Sequence, residues 1–355
     1  YPQPGYEAGW RQWGVAVCLH LLCSLALAWP WMSGMVTIPW DAKAHFQAQI
    51  QFLAQAIHSG QSPFWAPYVF GGHPQIADPQ SLIFSPPFLL LAMLTPNPTF
   101  QMVDSVAYGM LIFGSLGIFG FARDRRWHPA AALIAALAFT FGSSAAWRNQ
   151  HIGQTESLAY FPWALWMLER GLRLRSARYG TLSGLFAGLT VWGPDQISFL
   201  VLVTLAAFVI VHWLSGDARW LRVRATIRPL VAGGIVGITM ISLPILMTLS
   251  FADGSNRSHI AIEEAYLGSL HPTSLITFVV SNIFGTIGPE NQFWGAPSKY
   301  WPGIAASYVS RNMTNFYTGL LPVIGIVTWL TSRQAYSRRM IVLSILFGLM
   351  IAYAL

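Results

Sequence analysis

Apolar residues in this chain gather in long, nearly unbroken runs, not in the alternating or half-and-half patterns of water-soluble strands and helices. Runs of roughly 15 to 22 residues, some shorter, match the length a helix needs to cross a bilayer, straight or tilted. They cover residues 13–31, 100–122, 129–145, 158–172, 181–192, 197–214, 229–251, 317–331 and 340–355. The pattern predicts an all-α, polytopic transmembrane helical bundle of about nine spans, with two long connections at 32–99 and 252–316. The apolar run 83–94 is broken by Pro86-Pro87 and closed by Pro96 and Pro98. It is too short to span, so an interfacial or re-entrant helix is expected there. The first connection holds a different periodicity. Phe46, Ile50, Leu53 and Ile57 recur at helical spacing among polar neighbours. This predicts an amphipathic helix from Asp41 to Gly60, lying at the membrane surface or against other helices.

Charge adds a direction. Arg123/Arg125/Arg126, Arg170/Arg173/Arg175/Arg178, Arg219/Arg222/Arg224/Arg228 and Arg333/Arg338/Arg339 hold 14 of the 20 Lys and Arg residues. With 83–94 not spanning, all four groups fall on one side, which the positive-inside rule makes cytoplasmic. Asp41, Asp78, Asp104, Glu156, Asp195, Asp253, Glu263, Glu264 and Glu290 sort to the opposite face, and the two long connections lie there too. Chemistry is therefore expected on the extracytoplasmic side, where the loops are.

Composition agrees: 54% of residues are hydrophobic and 9% charged, against about a quarter charged in soluble domains. That excludes a cytosolic enzyme and a disordered chain. Cys18 and Cys23, both in the first apolar run, build neither a disulfide framework nor a metal site. The net charge of +7 is an anchoring pattern, and no nucleic-acid partner is expected. The last residues, Ala352-Tyr353-Ala354-Leu355, are still apolar, so a longer, C-terminally incomplete membrane core is expected.

The outer segments supply the candidate chemistry. Asp41 stands where a helix cap belongs, and capping is one reading of it. Residues 63–80 combine Trp65, Tyr68 and Phe70 with His73, Gln75 and Asp78 among glycines and prolines. Flat rings beside amides and carboxylates suit sugar binding, and equally an aromatic belt at a bilayer interface. Asp195, in the turn Gly193-Pro194-Asp195-Gln196, is costly at that depth unless paired, lining a wet cavity, or capping the next helix. Lys43, Arg148, His73 and His151 are the outer-side candidates for cationic or N–H donors. His259 with Glu263 and Glu264 is only a chance-level metal spacing, and no phosphate-binding glycine loop or Gly-x-Ser-x-Gly is found.

The chain resembles a known family at several points. Trp40-Asp41, Ser59-Gly60, Pro63-Phe64-Trp65-Ala66-Pro67-Tyr68, Phe70-Gly71-Gly72-His73-Pro74-Gln75, Asp78-Pro79-Gln80-Ser81 and Phe84-Ser85-Pro86-Pro87 resemble the YfhO-like bacterial membrane proteins, of the GT-C class of integral-membrane glycosyltransferases. His151, Ser157-Leu158-Ala159-Tyr160-Phe161-Pro162-Trp163 and Asn315-Phe316-Tyr317-Thr318-Gly319-Leu320-Leu321-Pro322 extend the resemblance. It implies a multi-pass protein of the bacterial inner membrane that moves a sugar from a polyprenyl-phosphate carrier to an extracytoplasmic glycan or lipid acceptor. It also implies that Asp41 is the catalytic base or a metal-associated carboxylate, which leaves a divalent cation open. Two positions depart from the family pattern. Asp41 is followed by Ala42 where many members carry a second acid, and Gly193-Pro194-Asp195-Gln196 stands where relatives read Gly-His-Pro-Gln. The competing expectation is a non-catalytic subunit of a larger membrane complex built on the same fold.

Overall fold

Helices dominate because a chain this apolar must satisfy its backbone polar groups internally wherever water is excluded. The computed structural model describes residues 8–215, 218–255, 271–285, 293–296 and 315–331. Among them are α1 (Trp10–Met32), a π-helical turn (Ala42–Phe46) running into α2 (Gln47–His58), α3 (Pro86–Leu94), α4 (Phe100–Asp124), α5 (Pro129–Phe141), α6 (Ser143–Arg148), α7 (Ile152–Leu174), α8 (Ala177–Leu189), α9 (Gln196–Leu214), α10 (Arg219–Asp253) and α11 (Leu320–Thr331). Short 3₁₀ turns cover Gln75–Ala77 and Pro272–Phe278. No strand occurs among the described residues, only a single bridge between Ala66 and His73.

Among the described residues, five helical stretches are long and apolar enough to cross a membrane: Trp10–Met32, Phe100–Asp124, Pro129–Arg148, Gln196–Leu214 and Arg219–Asp253. The protein is a helical membrane protein by this measure. The expected span 340–355 and the Glu263/Glu264/His259 set lie outside the described residues. The run 83–94 forms the nine-residue α3, about 14 Å long and far short of a bilayer. The expected amphipathic helix forms, and its apolar stripe packs against protein: Leu53 and Ala54 join Ile83 and Ala92 in one buried cluster.

The chain divides into two compact units, Tyr1–Thr140 with Arg148–Ser255, and Phe141–Trp147 with Asn256–Leu355. In the first, helices pair through small residues, which let backbones approach where lipid gives no hydrophobic drive. Gly114 of α4 faces the backbone of Ala159 on α7, and Gly117 faces Pro162. Trp163 stacks on Phe113 at 5.0 Å and donates its indole N–H to the Phe113 carbonyl at 2.8 Å. Gly180 and Gly184 of α8 face the carbonyls of Pro229 and Gly233 on α10 so closely that a Cβ at either would overlap them. At the arginine-rich end of α4 and α7, Arg125 pairs with Glu169 at 3.0 Å and Arg170 with Asp124 at 3.0 Å. Some of the arginines read as an anchoring pattern therefore also tie helices together. In the second unit, Phe278 stacks on Phe316 at 5.2 Å, and the Ser143 N–H donates to the Tyr317 carbonyl at 2.8 Å.

Candidate functional site

At the opposite end of the first unit, polar side chains from three parts of the sequence meet. The first is Asp41. Trp40 adopts the left-handed backbone region (φ 59°), at a cost of about 1 kcal/mol for a residue with a side chain. Asp41 itself is helical (φ −63°, ψ −33°) and makes no capping bond, since a side chain caps from a non-helical residue. Its carboxylate is released from the backbone. Oδ2 instead stands 3.1 Å from Nδ1 of His151. The Asp41 side chain is 55% exposed and that of His151 20%. A pair so open to solvent contributes no more than about 1 kcal/mol to stability, so fold stability does not explain its presence.

The second part is the turn from α6 into α7. The His151 N–H donates to the Arg148 carbonyl at 2.7 Å, and the Thr155 hydroxyl donates to the same carbonyl at 3.0 Å. These bonds fix Arg148 and His151 one turn apart. Arg148 Nη1 donates to Gln154 Oε1 at 2.7 Å, and Gln154 Nε2 donates to Gln196 Oε1 at 3.3 Å, which links the guanidinium to the start of α9. Burial lowers the His151 pKa, the Asp41 charge raises it and the Arg148 charge lowers it further.

The third part is the start of α9. Asp195 is extended (φ −139°, ψ 179°) and caps the helix: Ser198 N–H donates to its Oδ1 at 2.7 Å, and the Ser198 hydroxyl completes a capping box. Its Oδ2 lies 3.3 Å from the Ser157 hydroxyl, and its charge acts on Arg148. Burial raises the Asp195 pKa, opposed by its hydrogen bonds from Ser198 and Ser157.

Four residues expected to share a site are thus brought together: Asp41, Arg148, His151 and Asp195. Other candidates are placed differently. Lys43 holds its ammonium 5.7 Å from the Phe100 ring centre. His73 pairs with Asp78 at 3.1 Å, Gln75 is buried at 1% exposure, and Trp65 and Tyr68 are exposed. Among the described residues no three His, Cys, Asp or Glu side chains are grouped to hold a metal ion.

One residue carries more than its sequence position suggested. Glu156, just before the apolar run 158–172, is buried and accepts a hydrogen bond from the Ser85 hydroxyl at 2.8 Å. Tyr160, one turn further along α7, adds a second hydrogen bond. Burial raises its carboxyl to about 8, with the neighbouring Asp195 charge pushing the same way. The readable signal is a lone acid at the mouth of an apolar run with a tyrosine four residues on. The folded carboxyl keeps its proton to about 8, whereas an ordinary one loses it near 4.5. The folded state therefore binds the extra proton between those values, and stability falls as pH rises through that window. Thermal unfolding of the wild type is expected to show a loss of at most about 5 kcal/mol across it. Glu156→Gln, which keeps hydrogen-bonding groups without the charge, is expected to flatten the profile.

The chain matches no protein-family model, no curated protein and no solved structure with which it was compared.

Proposed function

We propose that this chain is the membrane core of a GT-C-type, YfhO-like glycosyltransferase. In this reading it has about nine spans in a bacterial inner membrane, with the arginine-rich ends in the cytoplasm and the Asp41 cluster outside. The observation that carries the reading is the solvent-open Asp41 carboxylate, held 3.1 Å from His151 beside Arg148 at a bundle end. Sugar transfer from a lipid phosphate needs a base on the acceptor side and a cation on the leaving-group side, and this cluster offers both.

In the proposed reaction Asp41 takes the proton of an acceptor hydroxyl as that oxygen bonds the anomeric carbon. The bond from that carbon to the carrier phosphate oxygen breaks, and its electron pair leaves with the phosphate. His151 orients the carboxylate, while Arg148 stabilises the departing anion by charge-assisted hydrogen bonds. Asp195, at the start of α9, and Gln154 of α7, which is hydrogen-bonded to Gln196 on α9, position Arg148. The test is turnover: the chain in vesicles, given polyprenyl-phosphate sugars and an extracytoplasmic glycan or lipid acceptor, is expected to release free carrier phosphate with transfer of the sugar. No release across a range of sugars, from protein that co-purifies with a stoichiometric partner, would favour the non-catalytic subunit instead.

A further inference from the structure

The segment 64–72 presents an unusual surface. Tyr68 and Phe70 are 80% and 92% exposed, Trp65 53%, and Phe64 and Val69 are exposed as well. No charged residue occurs from Pro63 to Gly72. The segment is nonetheless well held. Ala66 and His73 exchange backbone hydrogen bonds at 2.8 Å in each direction, and Gly72 N–H donates to the Val69 carbonyl at 2.8 Å. Phe70, Gly71 and Gly72 all take positive φ (52°, 75° and 126°), so the backbone reverses there with Phe70 left outside the turn. The Trp65 ring lies where a Cβ of residue 72 would be. A braced turn thus displays apolar rings that the described residues leave uncovered.

Its level in the bilayer follows from α10. After Arg228, the apolar run 229–251 has 23 residues and spans about 34 Å as helix, close to the roughly 30 Å hydrocarbon core. Ile235, Ile238, Leu246 and Leu249 on it are exposed, as a lipid-facing helix requires. With the arginines at one interface, Phe251 stands at the other. The His73 ring meets Phe251 edge-on at 5.7 Å, and Phe70 lies 6.3 Å beyond His73. The turn is therefore carried at headgroup height, continuous with the exposed face of α10.

We infer that the 64–72 turn is an interfacial anchor, seated in the headgroup layer of the leaflet at the bundle end away from the arginine clusters. Tyr, Trp and Phe favour that layer, where an apolar body and a wet edge are both accommodated. A sugar platform is the weaker fit. The polar side chains that would take sugar hydroxyls are not presented with the rings: His73 is paired with Asp78, and Gln75 is buried in the interior.

The test uses the 355-residue chain with Cys18 and Cys23 changed to Ser, since both are exposed thiols in α1. Tyr68→Cys and Phe70→Cys, at positions that bury little, are each labelled with an environment-sensitive nitrobenzoxadiazole dye in phosphatidylcholine vesicles. Lipids carrying a nitroxide near the headgroup are expected to quench both labels about two-fold or more, with weak quenching by aqueous iodide. Strong iodide quenching without nitroxide quenching would overturn the anchor and leave an aqueous turn, as a sugar platform requires. Insensitivity to both would overturn it in favour of a protein partner covering the turn. Neither result depends on the transfer reading, because no residue of the turn belongs to the Asp41 cluster.

Discussion

Asp41→Asn is expected to lower the proposed sugar transfer about 10²–10⁴-fold, the usual contribution of a positioned base, while folding and donor binding are kept. Asparagine has the shape of aspartate but does not accept the acceptor's proton. The structure makes this a clean substitution. Asp41 caps no helix, and its contact with His151 is solvent-open, so its loss costs at most about 1 kcal/mol of stability. Initial rates of carrier-phosphate release in vesicles, beside melting temperatures of both proteins, separate the two effects. Full activity in the variant would remove Asp41 from the role of base.

The second large effect is structural. Gly184→Ala places a methyl group against the Gly233 carbonyl, a backbone atom that moves only if α8 and α10 separate. Overpacking of this kind is expected to cost about 1–3 kcal/mol. Gly234→Ala is the matched control, because a Cβ there meets nothing within 4 Å. It should leave stability unchanged or slightly improved, since alanine is the better helix former. Detergent or thermal unfolding of the two variants tests whether glycine contacts, and not apolar bulk, hold this pair. Equal stability of both variants would contradict the pairing.

Run length made the membrane character and the short α3 legible, because the bilayer imposes one dimension on every spanning helix. The stripe Phe46, Ile50, Leu53 and Ile57 likewise announced the helix after Asp41. What it covers was not legible: the stripe meets Ile83 and Ala92, and periodicity does not say whether an apolar face meets lipid or protein. Helix partners were hidden for a similar reason. The close approach of Gly180 and Gly184 to α10 depends on which faces meet, and a single sequence does not record that.

The two aspartates read as possible caps separated on backbone geometry alone. Asp195 is extended and caps α9, whereas Asp41 is already helical and its carboxylate turns to His151. That difference is set by the left-handed Trp40 and the π-turn behind it, features without a strong residue-type signature. Glu156 escaped attention because an acid beside a span resembles any rim residue, until Ser85 from the first long connection is seen to hydrogen-bond it.

The cluster of Asp41, His151, Arg148 and Asp195 is proposed to receive a lipid phosphate. A density map of the protein in nanodiscs with a polyprenyl phosphate addresses it most directly. The phosphate is expected within hydrogen-bonding distance of Arg148, with its tail running down the apolar helices and Asp41 facing it across the space for an acceptor. A phosphate bound among the arginines at the opposite end, or a site that stays without lipid at saturating carrier, would contradict it.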